Sequence, residues 1–191
     1  MTKVITDMKL SDSSYSHVLD ISADRIDIAD WLFNLPNEEY KRCCPPDHVA
    51  CGATFTDDGK RMSINVERIG ETLMIQQYVG EITEKHHCRM VSISDAFSPN
   101  GRTKVQIIWD LSVKAIDADH CEYTNSVVAH PTEEFLAFLK EHNVAFETAA
   151  VARQAAGGDH NHRETPLFAE SMKRKALARE KPVRRKLAVG A

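Results

Sequence analysis

Six segments decide the fold: HVACGATF (48–55), RMSINVERI (61–69), TLMIQQYVGEI (72–82), CRMVSISDAF (88–97), KVQIIWDLSV (104–113) and CEYTNSVVA (121–129). Each is short and rich in the β-branched and aromatic residues that suit a pleated surface. Between them stand DDGK, IGE, EKHH, SPNGR and DADH, all turn-forming chemistry. Six consecutive strands joined by such short links form an antiparallel meander.

Working outward, SYSHVLDIS (14–22) has the composition of one more strand. Asp24 is placed to cap a helix running through IDIADWLFNL, in which Ile26, Ala29, Trp31, Leu32 and Leu35 make an approximate apolar face. Pro36-Asn37 breaks that helix, EEYKRC adds one or two further turns, and Pro45-Pro46 stops them. After the meander, PTEEFLAFLKEHN opens a helix. Gly157-Gly158 and DHNHRETP then read as an interruption, and ETPLFAESMKRKALARE as a second helix starting at Thr165-Pro166. Leu167, Phe168 and Met172 give that helix a face to dock on the body or on a second subunit, so a homodimer stays open. The expected organisation is a domain over 14–156, a loop and additional helix over 157–180, and a disordered basic tail over 181–191.

The chain of 191 residues suits one domain with a substantial core. It has no run of about 18 apolar residues to span a membrane. MTKVITDMKLSDSS has no basic segment followed by an apolar one, so no secretory signal is expected. Five cysteines, an odd count without CxxC pairs, fit a reducing cytoplasm better than a disulfide framework. Charge is uneven: residues 171–191 carry eight Lys/Arg against one Glu, although the whole chain is at −4. With no aromatic residue there to stack a base, a solvated helix and tail is favoured over a nucleic-acid surface.

The chemistry-bearing residues sit where elements begin and end. PPDH48 leads into a strand, NVE67 closes one, and H130PTEE134 joins the last strand to a helix. In an antiparallel meander alternate strand ends share one edge, which puts His48, Glu67 and His130 at the same end. Pro131 suits a first helical turn, so Glu134 lies about one turn from His130. Imidazole and carboxylate are the usual ligands of a catalytic zinc. Each residue also has an ordinary reading: a strand-capping His48, a surface Glu67 paired with Arg61 or Arg68, and a helix start at 130–134 whose acids complement the dipole. A second group, His160, His162 and Glu164, has metal-like composition, but in a loop its ligands would not be pre-positioned, and a lid or dimer contact is favoured there. Cys51 reads as a buried thiol rather than a soft ligand. Asn65, Gln77, Ser94, Asp95 and Asn125 are in-strand polar residues able to line a cavity.

The order strand, helix pair, six strands, helix resembles the helix-grip order of the START-like (Bet v 1-like, SRPBCC, polyketide-cyclase-like) superfamily, over roughly residues 14–156. That resemblance implies an α+β fold whose curved antiparallel sheet wraps a C-terminal helix around an internal cavity. Y40KRCCPPDH48 followed by NVE67RIG is also similar to the diacetylphloroglucinol hydrolase and phloretin hydrolase group. Those START-like enzymes bind zinc through two His and two Glu, the last pair spaced HxxxE on a helix, and cleave a carbon–carbon bond between an acyl group and a phenolic ring. The resemblance implies His48, Glu67, His130 and Glu134 as ligands of Zn2+ or another divalent transition metal, and Tyr40, eight residues before the first His, as the residue that holds or protonates substrate. Of Tyr40, Tyr78 and Tyr123, Tyr40 is the one favoured for that role. This chain is shorter than those enzymes, has Cys51 where they carry a polar residue, and has a proline after His130. The expected function is a metal-dependent hydrolase or lyase acting on a small aromatic or polyketide-like ketone. The alternative is a non-catalytic carrier of a small apolar or aromatic molecule.

Overall fold

The computed structural model describes residues 2–179. The chain opens with strand β1 (Ser11–Leu19), a 3-10 turn (Ala23–Arg25) and two short helices, α1 (Ile28–Phe33) and α2 (Asn37–Cys43). Six strands follow: β2 (His48–Phe55), β3 (Arg61–Ile69), β4 (Thr72–Glu84), β5 (His87–Ser98), β6 (Gly101–Ala115) and β7 (Cys121–Pro131). Two helices end it, α3 (Glu133–Glu141) and α4 (Phe146–Arg179). All six meander strands lie where the sequence predicts them, within a few residues at each end. Asp27, rather than Asp24, caps α1 by accepting the Asp30 N–H at 2.8 Å.

The sheet has seven antiparallel strands in the order β1-β7-β6-β5-β4-β3-β2. The meander pairs each strand with the next, while β1 crosses to the last strand, with Ser11 opposite Ala129 and Leu19 opposite Cys121. Gly70 takes a φ of 60° in the turn between β3 and β4, a conformation that side-chain-bearing residues rarely adopt. Period-two alternation divides the faces. Ser63, Asn65, Glu67 and Ile69 of β3 and Tyr123, Asn125 and Ala129 of β7 are buried on the concave face. There α4 packs, mainly along β1, while α1 and α2 fill the remaining space against the sheet and α4.

The 157–164 stretch is not a loop. α4 runs unbroken through Gly157-Gly158 and HNHRETP to Arg179, so the expected second helix is the second half of one helix. Its buried residues include His160, Asn161, Glu164, Thr165, Phe168, Ala169, Met172 and Ala176, at the spacing of one helical stripe. Packing of that stripe overrides the low propensity of two glycines and of Pro166, which cannot donate to the carbonyl one turn back. The expected tail, 181–191, lies outside the described residues.

Candidate metal centre

A register shift builds the first half of the site. Along most of β2 the pairing runs Ala50 to Val66, Cys51 to Asn65 and Ala53 to Ser63, a register that would put Val49 opposite Glu67. A bulge between His48 and Ala50 places His48 opposite Glu67 instead. Directly paired residues point to the same face, so the bulge turns His48 into the concave face beside Glu67 and leaves Val49 outside, 42% exposed.

α4 supplies the second half. His160 and Glu164 are four residues apart in a continuous helix and so share its inward face. The four side chains His48, Glu67, His160 and Glu164 are buried, and their ligand atoms all lie within 4.8 Å of one another. His48 Nε2 stands 3.1 Å from Glu164 Oε2 and 3.8 Å from Glu67 Oε1. His160 Nε2 stands 3.4 Å from Glu164 Oε2 and 3.8 Å from Glu67 Oε2. Ligand atoms of a tetrahedral zinc, with bonds of about 2.0–2.1 Å, are roughly 3.3 Å apart, so the spacing fits such an ion.

Every member of the set is fixed from behind. His48 Nδ1 donates to the Tyr40 carbonyl at 2.8 Å, and His160 Nδ1 donates to Asp47 Oδ2 at 2.9 Å. Both rings therefore aim Nε2 at the common centre, as oriented metal-binding imidazoles do. The Tyr40 hydroxyl donates to Glu67 Oε1. Asn125 Nδ2 donates to Glu164 Oε1 at 3.0 Å while its Oδ1 accepts from Trp109 Nε1 at 2.9 Å. The Tyr40 ring stacks on His48 with centroids 4.0 Å apart, and Phe168, one turn after Glu164, packs beside both, 5.4 Å from the His48 ring and 6.4 Å from the Tyr40 ring. Cys44 also approaches His160, but its Sγ lies against Nδ1 at 3.6 Å, on the ring nitrogen that faces away from the centre.

The electrostatics follow from this enclosure. Burial opposes charge on His160, yet the Glu164 and Glu67 carboxylates outweigh it and push its pKa up to about 12. Burial likewise opposes charge on Glu164, which His160 and His48 pull down to about 2. Protons on the histidines thus hold the carboxylates in place, and any cation held by these four side chains would have to displace them. Burial, reinforced by Glu67, holds the Tyr40 phenol well above its ordinary value, so Tyr40 remains a donor.

His130 and Glu134 do not join this set. His130 is an even-numbered residue of β7, on the opposite face from Asn125 and Ala129, and its Nδ1 bonds to the Met8 carbonyl at 2.7 Å. Glu134 is exposed in the first turn of α3. His130 lies at the end of the sheet that strand order predicts, but on the face away from Glu67. Tyr40 is fully buried behind the ligands, and its hydroxyl is committed to Glu67 rather than turned to a cavity. Of the in-strand polar residues, Asn65, Ser94 and Asn125 are buried inward, whereas Gln77 is exposed and Asp95 pairs with Arg102 at 2.7 Å. The sequence signal for His160 and Glu164 was their HxxxE spacing, hidden by the glycines before it.

One cavity adjoins the centre, and a second shares wall residues with it. The inner one of about 30 Å³ is lined by Asn65, Glu67, Gln76, Tyr78, His160 and Glu164, among others. That is room for about one water. An outer chamber of about 390 Å³ lies between the sheet and helices α3 and α4, with Met74, Val105, Phe135, Phe138 and Leu139 in its walls. Ile69 and Arg153 belong to the walls of both.

No protein-family model matches the chain, and no curated protein does. Solved structures do. The Zhui aromatase/cyclase from Streptomyces sp. R1128 superposes with a TM-score of 0.62 at 11% identity, covering 86% of this chain and 94% of its own. A START superfamily protein from Mycobacterium smegmatis gives a TM-score of 0.51 at 11% identity, covering 87% and 97%. The di-domain ARO/CYC BexL of the BE-7585A biosynthetic pathway gives 0.53 at 12% identity, covering 89% of this chain and 52% of the di-domain. At these identities the likeness is one of architecture: the chain has the α+β helix-grip fold of the START-like superfamily.

Proposed function

We propose that this protein is a metal-dependent hydrolase or lyase that cleaves the carbon–carbon bond joining an acyl group to a small aromatic or polyketide-like ketone. The observation that carries this reading is the convergence of four buried ligand atoms from His48, Glu67, His160 and Glu164, each oriented by a partner of its own. With His160 and Glu164 in the last two places, the series His, Glu, HxxxE matches the diacetylphloroglucinol and phloretin hydrolase pattern better than His130 and Glu134 do, because the pair lies within a helix. Two nitrogens and two carboxylate oxygens suit zinc or a similar divalent ion. When bound, such an ion polarises a ketone oxygen and brings water toward hydroxide near neutral pH.

The chain's own residues divide the remaining work. The outer chamber has the size and apolar lining to take an aromatic body, with the acyl group directed past Ile69 toward the inner cavity. Water supplies the oxygen that ends on the acyl carbon. As the acyl–ring bond breaks, its electron pair stays on the ring carbon, which takes up a proton, so the products are a carboxylic acid and the deacylated compound. Tyr78 is the phenol facing this cavity. Its oxygen accepts from Gln76 Nε2 at 3.0 Å, which leaves its own proton to donate inward. Tyr40 is a positioning residue that steers Glu67.

The apolar outer chamber supports a second reading, a non-catalytic carrier of a small apolar or aromatic molecule. Elemental analysis of untagged protein, before and after incubation with zinc, separates the two. About one zinc per chain, with acid released from acyl-phenols or β-diketones, is the result expected of a single four-ligand site. Absence of metal after incubation would sink the hydrolase and leave the carrier.

A further inference from the structure

Arg153 stands at the junction of the two cavities, on the same face of α4 as His160 and Glu164. Its side chain folds along its own helix over Gly157, where an added Cβ would lie 3.8 Å from Arg153 Nε and 3.9 Å from Cζ. Arg153 Nε is buried and has no hydrogen-bond partner, and no carboxylate pairs with the guanidinium among the described residues. Each of the four centre side chains has its partner, whereas this fork has none at Nε. Arg153 as a whole is half-buried, but a guanidinium nitrogen shut from water without a partner is costly unless something else supplies one.

Two further orphaned atoms line the same space. Gln76 Oε1 faces the inner cavity and Thr103 Oγ1 the outer chamber, both buried and without partners. Buried polar groups are normally satisfied, and unsatisfied ones gathered around a cavity mark where a ligand's polar atoms belong. A planar, permanently charged fork is suited to an ionised oxygen on an aromatic or carboxylic group.

We propose that Arg153 is the substrate's anion anchor: it binds an ionised oxygen, phenolate or carboxylate, of a molecule whose apolar body occupies the outer chamber and whose acyl group reaches the His/Glu centre. The direction of the acyl group rests on the hydrolase reading above; the anion site itself does not. The substrate class is thereby narrowed from aromatic ketones in general to acidic ones, and neutral ketones of the same shape are discriminated against.

The test is calorimetric titration of the untagged full chain, both metal-free and zinc-loaded, with two matched pairs of probes. One pair is trihydroxyacetophenone and its tri-O-methyl ether, above the phenol's pKa; the other is acetylbenzoate and acetophenone. The metal-free comparison matters because a bound cation would favour anions by itself. Wild-type protein should take the ionised member of at least one pair about tenfold more tightly, the scale of a charge-assisted hydrogen bond. Arg153→Met should erase that preference and Arg153→Lys keep part of it. A preference confined to the first pair identifies a phenolate, and one confined to the second a carboxylate.

Equal affinities within both pairs in wild type overturn the proposal without recourse to any variant, as does a full preference in a folded Arg153→Met. Should the chain bind no zinc yet show an Arg153-dependent preference, the anion site stands and the hydrolase falls. Should it bind zinc and show no preference, the reverse holds.

Discussion

Two stretches of this chain share the spacing His-x-x-x-Glu, and they meet opposite fates. In H130PTEE134 the spacing straddles a strand end, a helix cap and a first turn. His130 points from the convex face to the Met8 carbonyl, while Glu134 lies exposed in α3. In H160NHRE164 the same spacing falls wholly inside α4, so both side chains share one inward stripe. The first segment has the better helix-start chemistry: Thr132 caps α3 by accepting the Phe135 N–H at 3.0 Å. That very cap is why it fails as a chelating pair, since the residue before a cap is not helical and the i,i+4 relation does not apply across it.

The sharpest way to break the comparison is to remove one histidine from each stretch. His160→Ala or Glu164→Ala should abolish stoichiometric zinc binding, while His130→Ala and Glu134→Ala keep it, as read by elemental analysis on folded protein. Metal retained in His160→Ala and lost in His130→Ala would reverse the assignment. A smaller effect is expected one layer out. Tyr40→Phe removes the donor to Glu67 but leaves the stacked ring, and should weaken zinc affinity by about 10–100-fold without abolishing binding. Competition with a chelator measures this, and an unchanged affinity would remove Tyr40 from the positioning layer.

The smallest effect concerns what keeps α4, and with it His160 and Glu164, in place. Glu39 of α2 accepts from Arg174 of α4 at 2.5 Å. Partial burial opposes its charge, but Arg174 and Arg42 prevail and lower its pKa from 4.5 to about 2. A depressed carboxyl contributes stability that is present above its unfolded value and lost as pH falls through the folded one. The contribution should therefore fade between pH 4.5 and about 2. Glu39→Gln should flatten that part of the acid-denaturation profile slightly, because the pair is largely solvent-screened. A profile identical to wild type would show that this pair does not secure the helix.

How much of this was legible in the sequence differs by element. The meander was readable because strand composition and turn chemistry alternate in short local signals. α4 was not, because its inward stripe is polar at His160, Asn161, Glu164 and Thr165, so it lacks the apolar periodicity by which an amphipathic helix is recognised. The apolar members of the stripe come late, at Phe168, Ala169, Met172 and Ala176, so the usual signal begins only after Thr165-Pro166. Glu67 stands at the sheet end that the alternation of strand ends predicts, and strand parity turns it inward. His48 faces Glu67 only through the bulge at Val49, a register choice that local sequence does not encode. Arg153 had no motif at all, since a lone arginine on a helix is ordinarily solvated.

The division of the four centre residues between β2–β3 and the final helix has a consequence for biosynthesis. A nascent chain that has emerged through β7 contains His48 and Glu67 on their strands but not the helix that faces them. His160 and Glu164 arrive only with α4, after β7 and α3. The centre therefore closes only after every strand of the sheet has been made, and a chain interrupted before α4 would carry half of it, on a concave face that α4 does not cover.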